Sequence, residues 1–137
     1  MRVAVVYVPS GRAEALAGLS ASLAAAFEAA GHRAEILEPG QAIARLAAFD
    51  YVAFGTEGRG FGGKIPAKVA ETLAQARGLS GKRSLAFVRK SAFGSARALS
   101  RLMAAMEAEG MYVNDSAIVG TAEEAAAAAK SAPVERN

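Results

Sequence analysis

The chain has 137 residues, of which 53% are hydrophobic and 21% charged, and its formal net charge is +3 at neutral pH. It contains no cysteine and one histidine, which excludes disulfides, thiolate metal sites, cysteine nucleophiles and multi-histidine zinc sites. No window approaches the roughly eighteen apolar residues of a membrane span, and because a strand pattern begins at once we expect no cleavable leader. We expect one domain spanning residues 1–137, a cytoplasmic location and no membrane contact.

The first part of the chain alternates between strand and helix patterns. Residues 2–8, "RVAVVYV", form a β-branched apolar run typical of a strand buried on both faces. One face of a helix that ends at Gly31 is then marked by apolar residues spaced three and four apart, namely Leu16, Leu19, Leu23 and Phe27. "RAEILEP" (33–39) predicts an edge strand closed by its proline, and "QAIARLAA" (41–48) predicts a short helix.

The alternation continues to the end of the chain. The predicted elements are, in order, a buried strand at 51–56, a helix at 66–76, a fourth strand at 84–90, a helix ending near 110, a weaker fifth strand at 111–119 and a last helix at 121–130. Pro66 stands at an early helix position that tolerates proline, and Thr121 is predicted to cap the last helix.

Strands alternating with helices through short loops predict an α/β fold, a three-layer α/β/α sandwich around a parallel five-stranded sheet of order 2-1-3-4-5. In such a sheet ligands collect at the carboxyl ends of strands 1, 3 and 4, beside the point where the strand order reverses. The loops that matter for function are therefore residues 8–13, 56–64 and 90–95.

Several stretches then show a resemblance that covers nearly the whole chain. They are "VVYVPSGRAEALAGLSASLAAAFEAAGHRAEI", "FDYVAFGT", "GGKIPAKVAETL" and "GKRSLAFVRKSAFGSARALSRLMAAMEAEGMYV". In this order they resemble the flavodoxin-like family, whose first strand leads through a hydroxyl-rich glycine loop into the first helix. The resemblance implies the flavodoxin-like fold, FMN as cofactor and a role in electron transfer or flavin-dependent reduction.

The first loop is a degenerate version of the family's phosphate loop. Ser10 and Gly11 match a hydroxyl and a glycine of the pattern, whereas the residues that depart from it are Val8, Pro9, Arg12 and Ala13. The sequence predicts that Ser10 caps the first helix and that the amides of residues 11–13 face a phosphate at its positive end. Arg12 either replaces the lost hydroxyls with a charged bond or points into solvent, and an ordinary strand-to-helix turn is the alternative for the whole loop.

The other two loops supply the residues that the resemblance places around a flavin ring. Phe61 and Phe93 are expected to stack on the two faces of the ring. The alternative is that one or both are buried in the core. The glycines of these loops permit close approach of the backbone to a flat ligand. The predicted cofactor-binding residues are Pro9, Ser10, Gly11, Arg12, Ala13, Thr56, Glu57, Gly58, Phe61, Gly62, Lys90, Ser91, Phe93 and Gly94. No catalytic or metal-binding residue is predicted, because Glu57 is the lone acid in these loops, and any reaction would be carried by the cofactor.

Charge is unevenly distributed along the chain. Residues 58–105 hold ten basic residues and one acid, a net charge of +9, whereas both flanks are acidic. This favours an anionic small molecule or an acidic redox partner protein, with a merely solvated basic face as the alternative. Nucleic acid is a weaker expectation because no nucleic-acid-reading motif is present.

Two functions follow from these patterns. The first is a flavodoxin-like protein that binds FMN, reversibly and more weakly than its relatives, for electron transfer or flavin-dependent reduction. The alternative is a flavin-free member of the same fold that serves as a binding or regulatory module for an anionic ligand or partner.

Overall fold

The computed structural model describes residues 1–135, which build a parallel sheet covered by helices. Within these residues the strands are β1 (Arg2–Val8), β2 (Arg33–Leu37), β3 (Tyr51–Thr56), β4 (Arg83–Arg89) and β5 (Tyr112–Val119). All neighbouring strands run parallel, in the order β2-β1-β3-β4-β5. The predicted fold class, sheet and strand order are confirmed.

The helices follow the strands along the chain. They are α1 (Glu14–Ala29), α2 (Pro39–Arg45), α3 (Ala67–Gln75), α4 (Ser95–Ala108) and α5 (Ala122–Ser131), with a short 3-10 turn at Leu46–Ala48. Pro39 was expected to close the second strand but is instead the first residue of α2, where its missing N–H costs nothing. Thr121 caps α5 as predicted, since its hydroxyl accepts a 3.1 Å hydrogen bond from the Glu124 N–H.

Two apolar layers separate the sheet from its helices. On one face Leu16, Leu23 and Phe27 of α1 and Ala125 of α5 pack against inward residues of the sheet such as Leu85. On the other face, side chains of α2, α3 and α4 form the second layer, among them Ala42, Val69, Leu73, Leu102 and Met106. Because the central strands are parallel, the loops that follow them meet at the carboxyl edge of the sheet. No helix among the described residues has the length and apolar character needed to cross a bilayer.

Tyr51 at the start of β3 gives the fold a pH dependence. Its side chain is fully buried, and its hydroxyl donates a 2.7 Å hydrogen bond to Asn114 Oδ1. Burial, and then the negative charge of Asp115, raise the pKa of Tyr51. Above about pH 10, the ordinary tyrosine value, the unfolded chain therefore releases this proton while the folded chain keeps it. The free energy of unfolding should fall as pH rises past that point.

A tyrosine absorbance titration at high pH, followed in parallel by circular dichroism, checks this prediction. Of the three tyrosines, we expect one to ionise only as the protein unfolds. Tyr51→Phe should lose a hydrogen bond worth about 1 kcal/mol at neutral pH but show a flatter decline of stability above pH 10. Ionisation of all three tyrosines in the folded protein would contradict the assignment.

Candidate functional site

The carboxyl edge of the sheet brings the three predicted loops together. The Thr56 hydroxyl, expected to face a ligand, instead donates a 2.6 Å hydrogen bond to the Val8 carbonyl and ties the ends of β1 and β3. Glu57 directly after it is 3% exposed. Its Oε2 accepts the Ser10 backbone N–H at 2.9 Å, and its Oε1 accepts the Arg89 Nε at 2.6 Å. One buried carboxylate thus joins the ends of β1, β3 and β4.

The first loop ends in the exposed amino terminus of α1. Ala13 occupies the cap position, with helical backbone angles and no side-chain cap, so the prediction that Ser10 caps this helix is wrong. Ser10 lies too far before the helix, and its backbone N–H turns toward Glu57 instead. Gly11, Arg12 and Ala13 are exposed, and no acceptor among residues 1–135 takes their backbone N–H groups. Three consecutive donors without an acceptor among the described residues therefore precede α1, next to the positive end of its dipole.

The second loop folds back on itself as a tight hairpin. Arg59 and Lys64 exchange backbone hydrogen bonds of 2.8 and 3.2 Å, and the turn between them contains Gly60 and Gly63 at φ of +67° and +65°. A Cβ at Gly63 would lie 2.4 Å from the Gly94 carbonyl oxygen. The second and third loops therefore pack backbone against backbone, which requires glycine at these positions.

The two loop phenylalanines lie on this hairpin and on the third loop. Phe61 is 75% exposed and Phe93 is 61% exposed, so neither tucks into the core. Their ring centroids are 4.5 Å apart with an interplanar angle of 42°. A planar ring between them would need a separation of about 7 Å, twice the carbon contact distance. The structure brings the pair together as a contact and not as an open sandwich.

The third loop is organised by its own hydroxyls. The Ser91 N–H donates to Ser95 Oγ at 2.9 Å, and the Ser91 hydroxyl donates to the Phe93 carbonyl at 2.7 Å. Gly94 precedes α4 in the left-handed region, at φ of +79°. These bonds fix the backbone that carries Phe93, and Lys90 beside it is exposed.

A cleft of about 380 Å³ separates the first loop from the hairpin. Pro9 and Ser10 form one wall, and Arg59 and the residues 64–67 form the other. The guanidinium of Arg59 reaches the first loop, since a Cβ at Gly11 would be 3.3 Å from its Nη2. The cleft thus combines apolar side chains with the cation of Arg59, which lies beside Gly11.

Four exposed cations lie on the hairpin and on α4 beside it. We call Arg59, Lys64, Arg97 and Arg101 the basic rim. Arg97 lies against Gly63, and Arg101 Nε donates to the Gly62 carbonyl at 3.3 Å. Within residues 1–135, the ion pairs closer than 4 Å join other residues, Arg45 to Glu35 and Arg89 to Glu57. The rim therefore presents uncompensated positive charge.

The structure places the predicted site residues at one edge but assigns several of them to internal bonds. Residues 11–13, Phe61, Phe93 and Lys90 are exposed, whereas the side chains of Thr56 and Glu57 are hydrogen-bonded to neighbouring strand ends and loops. The approach of Arg59 to Gly11 and the bridge from Glu57 to Arg89 were not predicted. A signal for the bridge exists in the register, since Thr56 and Val88 are paired and the residues that follow them along the chain are an acid, Glu57, and a base, Arg89.

Comparison with solved structures returns flavodoxins. A short-chain flavodoxin associated with a bacterial microcompartment superposes with a TM-score of 0.77 at 11% identity, covering 100% of this chain and 99% of that one. Flavodoxin 2 from Bacillus cereus gives 0.75 at 16% identity over 95% and 96% of the two chains. Two-electron reduced flavodoxin from Megasphaera elsdenii gives 0.66 at 20% identity over 96% and 100%.

Comparison at the level of sequence gives no such relative. No protein-family model matches the chain, and no curated protein matches it. At these identities the likeness to solved structures establishes the fold.

Proposed function

We propose that this chain, which has the flavodoxin-like fold, binds FMN at the carboxyl edge of its sheet and acts in electron transfer or flavin-dependent reduction. One observation supports the proposal most directly. The N–H groups of residues 11–13, which have no acceptor among the described residues, lie at the same edge as two exposed aromatic rings on neighbouring loops. A bound flavin would supply the redox chemistry, and the protein's residues would hold and orient it.

The phosphate end of the ligand fits the first loop. The N–H groups of Gly11, Arg12 and Ala13 stand free at the amino end of α1, where backbone dipoles favour an anion. Arg12 is exposed in the same loop, and the guanidinium of Arg59 reaches Gly11. These donors replace the hydroxyls that a flavodoxin-like phosphate loop would provide.

The flavin ring has no preformed space between Phe61 and Phe93. Phe61 and Phe93 touch each other, so a flavin ring either separates them or stacks on the outer face of one. Separating them forfeits their mutual contact, worth about 0.5–1.5 kcal/mol. This cost supports reversible binding that is weaker than in proteins with a preformed ring site.

An acidic redox partner protein fits the basic rim. Opposite charge steers encounter and raises association rates, most strongly at low salt. Lys64→Glu/Arg97→Glu in the FMN-loaded, reduced protein should slow electron transfer to an acidic acceptor protein at least tenfold at low salt. Arg77→Glu/Lys130→Glu, which reverses two exposed cations away from the rim, is the matched control and should have little effect. Equal rates for the two double variants would contradict a partner at the rim.

A second function is favoured by a separate observation. Phe61 and Phe93 are in contact, as expected if no flavin ring binds between them. In that case the chain is a flavin-free binding or regulatory module for an anionic ligand, held by residues 11–13 and Arg59.

Titration with FMN and with riboflavin separates the two functions. For FMN binding we expect quenching of flavin fluorescence with a change of the 450 nm band, saturating in the micromolar range, and weaker quenching by riboflavin. The double variant Phe61→Ala/Phe93→Ala should weaken the binding of both flavins. Phe49→Leu, which replaces a buried aromatic residue far from this edge, is the control for loss of an aromatic ring. No quenching at tens of micromolar FMN would overturn the first function in favour of the second.

A further inference from the structure

We infer that Glu57 is an internal competitor for the phosphate of the ligand, and that its carboxylate sets how strongly the first loop discriminates between phosphorylated and unphosphorylated ligands. The inference rests on the proposed function, because it concerns the same loop. It assigns to Glu57 a specificity-determining role in place of the direct contact with the cofactor that the sequence predicts.

The geometry gives Glu57 the position of a bound anion. The Glu57 side chain is 4% exposed, and its carboxylate accepts the backbone N–H of Ser10 on one oxygen and the guanidinium Nε–H of Arg89 on the other. A backbone N–H and a guanidinium are the groups that hold a phosphate in anion-binding loops. The Glu57 carboxylate therefore occupies donors of the same kind as those that would bind the phosphate of the ligand.

Two consequences follow for a phosphorylated ligand. First, Pro9 has no N–H and that of Ser10 is taken, so the ligand has the N–H groups of residues 11–13 and no more from this stretch. Second, a fixed negative charge lies beside a loop that must accept a phosphate, and like charges repel most where water is excluded. Arg89 offsets part of that charge through the ion pair. Riboflavin has no phosphate, so neither the shortage of N–H donors nor the charge of Glu57 affects its binding.

A purely structural role makes a different prediction. If Glu57 only braced the strand ends, weakening the brace would loosen the whole edge and lower the affinity for every ligand together. A competitor, in contrast, affects phosphorylated ligands selectively, and its removal increases their affinity.

Glu57→Gln is the deciding variant. It keeps the shape of the side chain and removes the charge, and because its amide accepts through one oxygen, it releases one of the two donors that Glu57 holds. We expect the affinity for FMN to rise at least tenfold while that for riboflavin stays within twofold. Glu71→Gln, which removes the exposed acid of the same basic segment, should change neither. Equal changes for FMN and riboflavin, or weaker FMN binding alone, would overturn the inference.

A flavin-free readout keeps this test separate from the test of FMN binding. In ¹⁵N-labelled protein, inorganic phosphate should shift the amide signals of residues 10–13 saturably, and at least tenfold lower phosphate should suffice in Glu57→Gln. If wild type fails to bind FMN but this difference appears, the proposed function fails and the inference stands. Identical phosphate titrations would overturn the inference whatever FMN does.

Arg89→Met provides the opposite change if Glu57→Gln does not fold. It leaves the Glu57 carboxylate in place without its cation, so phosphate and FMN should bind at least threefold more weakly while riboflavin is unaffected. Unchanged or tighter phosphate binding by this variant would also overturn the inference.

Discussion

Gly55→Ala should lower the free energy of unfolding by about 3 kcal/mol, at the upper end of the usual cost of overpacking a core. Gly55 lies in the middle of the sheet, paired with Tyr7 on one side and Phe87 on the other. A Cβ at this position would lie 2.2 Å from Phe87 Cζ. The Phe87 ring is fully buried and has no free volume to enter, because protein interiors are close-packed. Thr56 and Glu57 follow directly, so the floor of the site should shift as well.

Denaturant unfolding of three variants checks this expectation. Gly18→Ala is the matched control, since a Cβ at this exposed helix position meets nothing within 4 Å, and it should stabilise by about 0.5–1 kcal/mol. Phe87→Leu should recover part of the loss when combined with Gly55→Ala, giving a favourable coupling in the double-mutant cycle. A cost below about 1 kcal/mol for Gly55→Ala, or additive effects in the cycle, would contradict the packing of this ring over the glycine.

Arg12→Ala should lower the affinity for FMN about ten- to a hundredfold and leave the affinity for riboflavin almost unchanged. Ser10 is the one hydroxyl residue of residues 8–13, and a phosphate bound to the N–H groups of residues 11–13 needs a charged partner to neutralise it. A charged hydrogen bond contributes about 1.5–3 kcal/mol, which corresponds to one or two decades of affinity. Stability should barely change, because Arg12 is exposed and no described residue bonds to its side chain.

Parallel titrations of FMN and riboflavin decide the role of Arg12. Arg77→Ala, an exposed arginine after α3 at the opposite edge, is the control and should alter neither affinity. Equal losses for both flavins would mean that Arg12 supports the shape of the loop. No loss for either would make residues 8–13 an ordinary strand-to-helix turn.

The fold follows from the sequence where burial is complete. The sequence predicts Tyr51–Thr56 to the residue, because a short apolar run between turn residues is typical of a strand buried on both faces. The sequence pattern begins the second helix two residues after the true start of α2, because Pro39 is compatible both with ending a strand and with opening a helix. The start of α1 was misjudged for a related reason, because Ser10 is a good cap by type while the loop length puts it outside the helix.

The sequence predicts which edge of the sheet carries the site, but not which hydrogen bonds its residues form. Parallel topology brings the loops to one end, so Gly11, Phe61 and Phe93 were expected together. Whether the rings face a ligand or each other depends on the hairpin from Arg59 to Lys64, whose geometry no local pattern specifies. Glu57 was placed in the site as a loop acid, yet its partner on β4 follows from strand register, which pairs residues 32 positions apart.

The most direct measurement of the central claim is a ¹⁵N-resolved NMR titration of the wild-type protein with FMN. We expect saturable shifts at Gly11, Arg12 and Ala13 and in the hairpin around Phe61, with the signals of Gly78 and Gly81 at the opposite edge unchanged. Saturation in the micromolar range with this distribution would place the flavin on the carboxyl edge. No saturable shift, or shifts that spare residues 11–13, would contradict FMN binding at this site.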